Sequence, residues 1–310
     1  MKDKTMMLSV IICTYNRDKY IYNVMKSIVD GSLSADKYEI LAIDNNSTDG
    51  TKSEILRFME DNPDVNVRYL FEPEQGLSCA RNRGIEESSG DVLVYVDDDA
   101  KVNENYLKSY FDFFEANPDC KAAGGPIIPE YEGYEEPEWM TYHLKRLLTA
   151  YLYFGDKQTE FPGKNYPGGG NAAYRKELFD LVGKYNTSLG RTGSSLAGGE
   201  EKDIFRKMDS IGIKYYYLPE SILYHIIPER KMSDEYFNNL TSGIGRSERI
   251  RTRSISKGAY LKRVFSEMVK WCGTIVLSLW YLIKGKPGSS KKLLRFRSNV
   301  SKELLSLNKR

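Results

Sequence analysis

Short apolar runs and amphipathic stretches alternate through the first hundred residues. Residues 8–13, 40–43, 67–71 and 92–96 are brief runs rich in Val, Ile and Leu, the pattern of buried strands. Between them apolar positions recur at helical spacing: Ile21, Val24, Met25 and Ile28 within 20–29, then Ile55, Leu56 and Met59, then a third helix over 77–87. Ser47, Thr48 and Asp49 stand where the second helix needs an N-cap. The repetition predicts an α/β fold with a mostly parallel sheet flanked by helices.

Polar residues follow each strand: Thr14-Tyr15-Asn16-Arg17, then Asp44-Asn45-Asn46-Ser47, then Glu72, then Asp97-Asp98-Asp99. Ligands of open α/β sheets bind outside the carboxyl ends of the strands, so these four loops are where a site is expected. Three adjacent carboxylates repel one another unless a cation holds them, and hard oxygen ligands suit Mg²⁺ or Mn²⁺. No GxGxxG or GxxxxGK[ST] loop follows the first strand, so neither a dinucleotide fold nor a P-loop is indicated. Further on, Gly199-Glu200-Glu201-Lys202-Asp203 precedes a helical pattern with Ile204, Phe205 and Met208. Acids at a helix N-terminus are helped to stay ionised by the dipole, which suits a general base. Glycines 168–170, followed by Asn171, would let the backbone come close to a ligand.

With 310 residues, 41% of them hydrophobic, the chain can bury a sizeable core as one large domain or two unequal ones. Cys13, Cys79, Cys120 and Cys272 form no CxxC pair, and residues 1–7 are polar and charged rather than a signal peptide, so a reducing cytoplasm is expected. The net charge of +2 hides a division. Residues 246–310 carry 17 Lys or Arg against three Glu, or +14, leaving −12 for the rest. A basic segment on an acidic body points to an anionic partner.

The uncharged stretch 271–283, between Lys270 and Lys284, favours a membrane surface over nucleic acid. Trp271, Trp280 and Tyr281 lie in an apolar run rather than interleaved with basic residues, as base stacking would require. Its 13 residues span only about 20 Å as a helix, short of a hydrocarbon core of about 30 Å, so an in-plane or shallow anchor is expected. Val264, Phe265, Met268, Val269 and Cys272 fall opposite Glu267 and Lys270, and Lys286, Lys291, Lys292, Arg295 and Arg297 are candidates for anionic headgroups. A helix packed on the main domain, or a dimer contact, is the competing reading.

Four motifs in order, 8–17 (LSVIICTYNR), 43–51 (IDNNSTDGT), 76–84 (GLSCARNRG) and Asp97-Asp98-Asp99, resemble family 2 glycosyltransferases of the GT-A fold. The resemblance continues through 168–175, Val182-Gly183 and 199–203, and covers about residues 7–230. It implies a Rossmann-like GT-A domain over 1–230, with the nucleotide-binding half ending near residue 100 and the acceptor half following. A helical, basic membrane-contact segment over 231–310 completes the expected organisation. Thr14 and Tyr15 would then border the nucleotide, Tyr15 lining the base pocket, and Asp44 would accept a hydrogen bond from the base. Arg81 would approach the nucleotide from the third helix. Asp97 would face the ribose or a metal-bound water, with Asp98 beside it. Asp99 would bind Mn²⁺ or Mg²⁺ directly, and His225 would reach the metal or the diphosphate. Where the family carries Gly-Glu-Asp this chain has Gly199-Glu200-Glu201, so the base falls on Glu201, with Glu200 as the alternative.

The function so implied is inverting transfer of one sugar from a nucleotide-sugar, a UDP-sugar being favoured, to a hydroxyl of a lipid-linked glycan acceptor. The setting would be surface polysaccharide assembly at the inner face of the cell membrane. No Gln-x-x-Arg-Trp occurs, against a processive synthase. A non-catalytic nucleotide-sugar sensor or membrane scaffold is the alternative. A sugar nucleotidyltransferase would carry a glycine-rich basic loop where Thr14-Tyr15-Asn16-Arg17 stands.

Overall fold

The computed structural model describes residues 6–191 and 199–306; most of the 1–7 stretch, and Lys309 and Arg310 of the basic tail, lie outside them. The chain divides into two units. Among described residues, those up to Glu130, those from Ala150 to Arg191 and those from Gly199 to Ile226 form the first, and the segments Tyr131–Thr149 and 227–306 the second.

The first unit begins β1 (Leu8–Thr14), α1 (Ile21–Val29), β2 (Tyr38–Asp44), α2 (Thr51–Asp61), β3 (Val67–Phe71), α3 (Leu77–Glu87) and β4 (Val92–Val96). β1 lies between β2 and β4 with β3 outside β2, all parallel. β3, α3 and β4 have the bounds read from the apolar pattern. β1 and β2 run further, because ladder pairing carries the register past the apolar run to Thr14 opposite Asp44. α2 starts at Thr51 after Gly50, so the expected N-caps serve the preceding loop instead. Asp49 Oδ1 accepts from the Thr51 N–H at 3.0 Å, and Ser47 Oγ accepts from the Asn16 N–H at 3.0 Å.

The chain continues through β5 (Ala100–Val102), α4 (Tyr106–Ala116), β6 (Ala122–Gly124), β7 (Ile127–Tyr131), α5 (Tyr142–Thr149, in the second unit), β8 (Thr159–Glu160), β9 (Asn171–Arg175), α6 (Leu178–Val182), α7 (Glu200–Ser210), β10 (Tyr215–Tyr217) and β11 (Leu223–Ile227). The main sheet has the order β3-β2-β1-β4-β9-β6-β10-β8, and β5-β11-β7 form a small second sheet. β9 runs antiparallel to both β4 and β6, which sets its first residue beside the last of β4. Val10, Ile12, Ala42 and Val94 pack under α1, α2 and α4, while Ile11, Leu41, Leu93 and Tyr95 face α3, α6 and α7. Burial on both faces is why these strands read as continuous apolar runs rather than alternating ones.

The second unit adds α8 (Asp234–Ile255), α9 (Lys257–Ile283) and α10 (Pro287–Leu305) to α5. Its core is Leu144, Leu148, Phe237, Leu240 and Leu293. Ser233 and Ser256 cap α8 and α9, their hydroxyls accepting from Tyr236 and Ala259 N–H groups at 3.1 and 3.0 Å. Three of the cations expected at headgroups are spent inside this unit. Lys292 and Arg295 donate to Asp234 at 2.6 and 2.7 Å, and Arg297 turns inward to Glu267 at 3.0 Å.

Candidate active site

Asp97-Asp98-Asp99 make the turn from β4 into β5. β11 pairs antiparallel with β5, setting His225 opposite Ala100 and bringing its Nε2 to 3.4 Å from Asp99 Oδ1. Arg17, just past β1, donates from Nε to Asp98 Oδ1 at 3.1 Å, and another guanidinium nitrogen stands 3.8 Å from Asp99 Oδ2. The Tyr15 N–H donates to Asp98 Oδ2 at 3.4 Å. Burial pushes the Asp98 carboxyl up to about 6; Asp99 and Asp97 add to the rise, and Arg17 and Thr14 oppose it. Three adjacent carboxylates thus share the turn with one arginine, an excess of negative charge that a divalent cation suits. Asp99 and His225 supply facing oxygen and nitrogen donors of the kind Mn²⁺ accepts, with Mg²⁺ the harder alternative. Among the described residues no three or more His, Cys, Asp or Glu side chains form a metal-holding group.

Polar links join the loops after β1, β2 and β3. The Asn16 N–H donates to Ser47, and its Oδ1 accepts from the Thr48 N–H at 2.8 Å. Asn45 donates through Nδ2 to the Glu72 and Glu74 carbonyls at 3.2 and 2.7 Å, and accepts from the Gly76 N–H at 2.8 Å. Asp44 is buried at the end of β2, beside Thr14 in register. Its oxygens accept from the Ser47 N–H and the Tyr69 hydroxyl, both at 2.9 Å. The expected base-binding carboxylate is thus also a brace for its own loop. Asn16 and Asn45 went unassigned in the sequence; their signal was position, a side chain that both donates and accepts directly after a strand.

The second cluster lies where α3 meets α7. Arg81, 3% exposed, forks its guanidinium to Glu200 Oε1 at 2.8 Å and Glu201 Oε1 at 2.9 Å, with the Tyr185 and Tyr95 rings 5.3 and 5.9 Å away. Expected from sequence at the nucleotide, Arg81 pairs with two acids here, and neighbouring buried carboxylates stay charged only beside a cation. The acids differ. Glu200 is 5% exposed and its Oε2 also accepts from the Gly199 N–H at 2.9 Å, whereas Glu201 is 28% exposed. Burial raises the Glu201 carboxyl, Arg81 opposes the rise, and Glu200 and Asp97 add to it.

The glycine loop before β9 runs between the two clusters. A Cβ on Gly169 would fall 1.7 Å from Glu201 Oε1, and one on Gly170 2.0 Å from Asp97 Cγ, so a side chain at either position would displace the neighbouring carboxylate. Asn171 anchors this loop. Fully buried, it accepts from the Tyr106 and Tyr110 hydroxyls at 2.9 and 2.6 Å and donates to the Pro126 and Ser221 carbonyls at 2.8 and 2.9 Å. Asp97 and Glu201, far apart in sequence, thereby flank one stretch of backbone.

Residues 9–183 match the family described as Glycosyl transferase family 2. A glucosyl-dolichyl phosphate glucuronosyltransferase of Haloferax volcanii is 27% identical over 266 residues, 83% of this chain and 82% of that protein. A GalNAc(5)-diNAcBac-PP-undecaprenol beta-1,3-glucosyltransferase of Campylobacter jejuni is 30% identical over 128 residues, 41% of this chain and 40% of that protein. Among solved structures, the mannosyltransferase PcManGT from Pyrobaculum calidifontis, in complex with GDP-Man and Mn²⁺, is similar with a TM-score of 0.62 and 18% identity over 99% of this chain and 89% of that one, a likeness of fold.

Proposed function

Because the chain belongs to glycosyl transferase family 2 and has its GT-A fold, we propose that it moves one sugar from a nucleotide-sugar to an acceptor hydroxyl with inversion at the anomeric carbon. The observation that carries the reading is Glu201: a partly exposed carboxylate at the start of α7, held by Arg81 and separated from Asp97 by two glycines. Glu201 takes the proton of the acceptor hydroxyl. The acceptor oxygen forms its bond to C1 as the bond from C1 to the diphosphate oxygen breaks, and that electron pair leaves with the nucleoside diphosphate. Arg81 opposes the rise that burial imposes on Glu201, and the more buried Glu200 is the weaker candidate for the base. Tyr15 and Asp44 border the base, Thr14 the nucleotide, and Asp97 the ribose or a metal-bound water. Asp99 and His225 would hold Mn²⁺ or Mg²⁺, which when bound neutralises charge developing on the diphosphate.

A UDP-sugar is the favoured donor. The acceptor is a lipid-linked glycan, a reading supported by the dolichyl phosphate and PP-undecaprenol in the names of the two relatives, and the setting is the cytoplasmic side of surface-glycan assembly. The test is thermal shift and hydrolysis with UDP-, GDP-, dTDP- and CMP-sugars, with and without Mn²⁺, on wild type, Asp99→Ala and Glu201→Gln. One nucleotide class should stabilise the protein with metal, and Asp99→Ala should abolish the effect. Glu201→Gln should still bind but turn over about 10²–10⁴-fold more slowly. Binding without turnover in wild type would favour a nucleotide-sugar sensor, and no response to any donor would remove the proposal.

A further inference from the structure

Helix α9 is polar on its packed side and apolar on its outer side. Glu267, Thr274 and Ser278 are its buried residues. Glu267 accepts from Arg263 at 2.7 Å and from Arg297 of α10 at 3.0 Å, and Arg297 also donates to the Thr274 hydroxyl at 3.2 Å. Outward, Leu261, Phe265, Val269, Val276, Leu279 and Ile283 recur at helical spacing, each more than half exposed. A helix facing water on its outer side has the reverse arrangement, and a contiguous apolar stripe of this kind marks a contact surface.

We propose that α9 lies in the surface of an anionic phospholipid bilayer, its outer face in the acyl boundary and Lys284, Lys286 and Lys291 among the phosphates. Charge selects this occupant. Residues 246–310 carry 17 basic side chains, and each of the three Glu is already paired within the unit: Glu248 with Arg251 and Arg263, Glu267 with Arg263 and Arg297, Glu303 with Arg246. Lys284, Lys286 and Lys291 are exposed and follow the C-terminal end of α9, and these acids are already neutralised. A second copy on the same face would set two such +14 segments against each other. Trp280, with the Lys284 ammonium 5.9 Å from its ring, adds the aromatic–cation pairing typical of the interfacial zone. No described helix is long and apolar enough to cross a membrane, so the fit is in the plane.

The inference rests on the second unit alone, and its readout is lipid binding, so it stands or falls apart from the transfer chemistry. Full-length protein is floated with vesicles of neutral phosphatidylcholine and with vesicles containing phosphatidylglycerol, at low and high salt. A probe on Cys272, the exposed cysteine of the four, reports quenching by nitroxide lipids. Wild type should float with the anionic vesicles and lose at least tenfold in binding at high salt, and the Cys272 probe should be quenched. A Phe265→Gln/Val276→Gln/Leu279→Gln variant should bind at least tenfold more weakly with its circular dichroism unchanged. A Lys284→Gln/Lys286→Gln/Lys291→Gln variant should lose the preference for anionic lipid. Folded wild type that ignores both vesicle types overturns the proposal. So does a dimer abolished by the apolar variant, with no vesicle binding.

Discussion

Replacing Arg81 with methionine removes the guanidinium that Glu200 and Glu201 share, and the structure sets the size of the effect. Arg81 is 3% exposed, Glu200 5% and Glu201 28%. Losing one partner of a buried ion pair costs about 3–5 kcal/mol, since the remaining charge must be neutralised in place. Nearly all of that applies to Glu200, while the more open Glu201 regains some solvation, so a total of about 3–4 kcal/mol is expected. With an unfolding entropy of about 2 cal/mol/K per residue over a unit of roughly 200 residues, the melting temperature should fall by roughly 7–10 °C. Arg81→Lys keeps a charge but not the fork, and should fall between.

Stability alone does not separate a strut from a residue that tunes the base. Burial raises Glu201 and Arg81 opposes it, so removing the arginine must raise the carboxyl further. A base works only when ionised, so the acid limb of the kcat/KM profile should move to higher pH in Arg81→Met, with activity partly recovered on the alkaline side. Arg81→Lys should move it less. A lowered melting temperature with an unmoved acid limb would refute the argument that Arg81 sets the ionisation of Glu201, leaving it a structural residue.

Three further outcomes follow from the geometry. Gly169→Ala, whose Cβ would overlap the Glu201 carboxylate, should lower kcat at least tenfold with the fold intact; wild-type turnover would show that the loop does not pack on Glu201 as described. Asn171→Ala strips partners from two tyrosine hydroxyls and two carbonyls, each unpaired buried group costing about 1–3 kcal/mol, so unfolding in denaturant should shift by at least about 3 kcal/mol. Burial would raise the Glu267 carboxyl, but hydrogen bonds from Arg263 and Arg297 outweigh it and hold it below the usual range. A depressed folded pKa gives stability that is present above the unfolded value, about 4.3, and is lost as pH falls through the folded one. The stability gap between wild type and Glu267→Gln should therefore be constant near neutrality and narrow below about pH 4.3; a gap that widens in acid has the wrong sign.

What could be read in advance divides along the distance over which residues act. The bounds of β3, α3 and β4 were legible because each is an apolar run or stripe ended by polar residues, a property of five to eleven neighbours. The placing of polar groups at strand ends was legible for the same reason, and Asp99 and His225 do meet. The acid partners of Arg81 were not legible because they lie 119 and 120 positions away, and only the packing of α7 on α3 decides that its fork points to them. Lys292, Arg295 and Arg297 read as a basic stripe, yet Asp234 and Glu267, on two other helices, decide which cations reach the surface. In α9 the helical period was visible in Phe265, Met268 and Val269, but the period names two faces and not which one is covered. Glu267 marks it: the carboxylate and its two arginine partners lie on the packed side, and the apolar side is left outward.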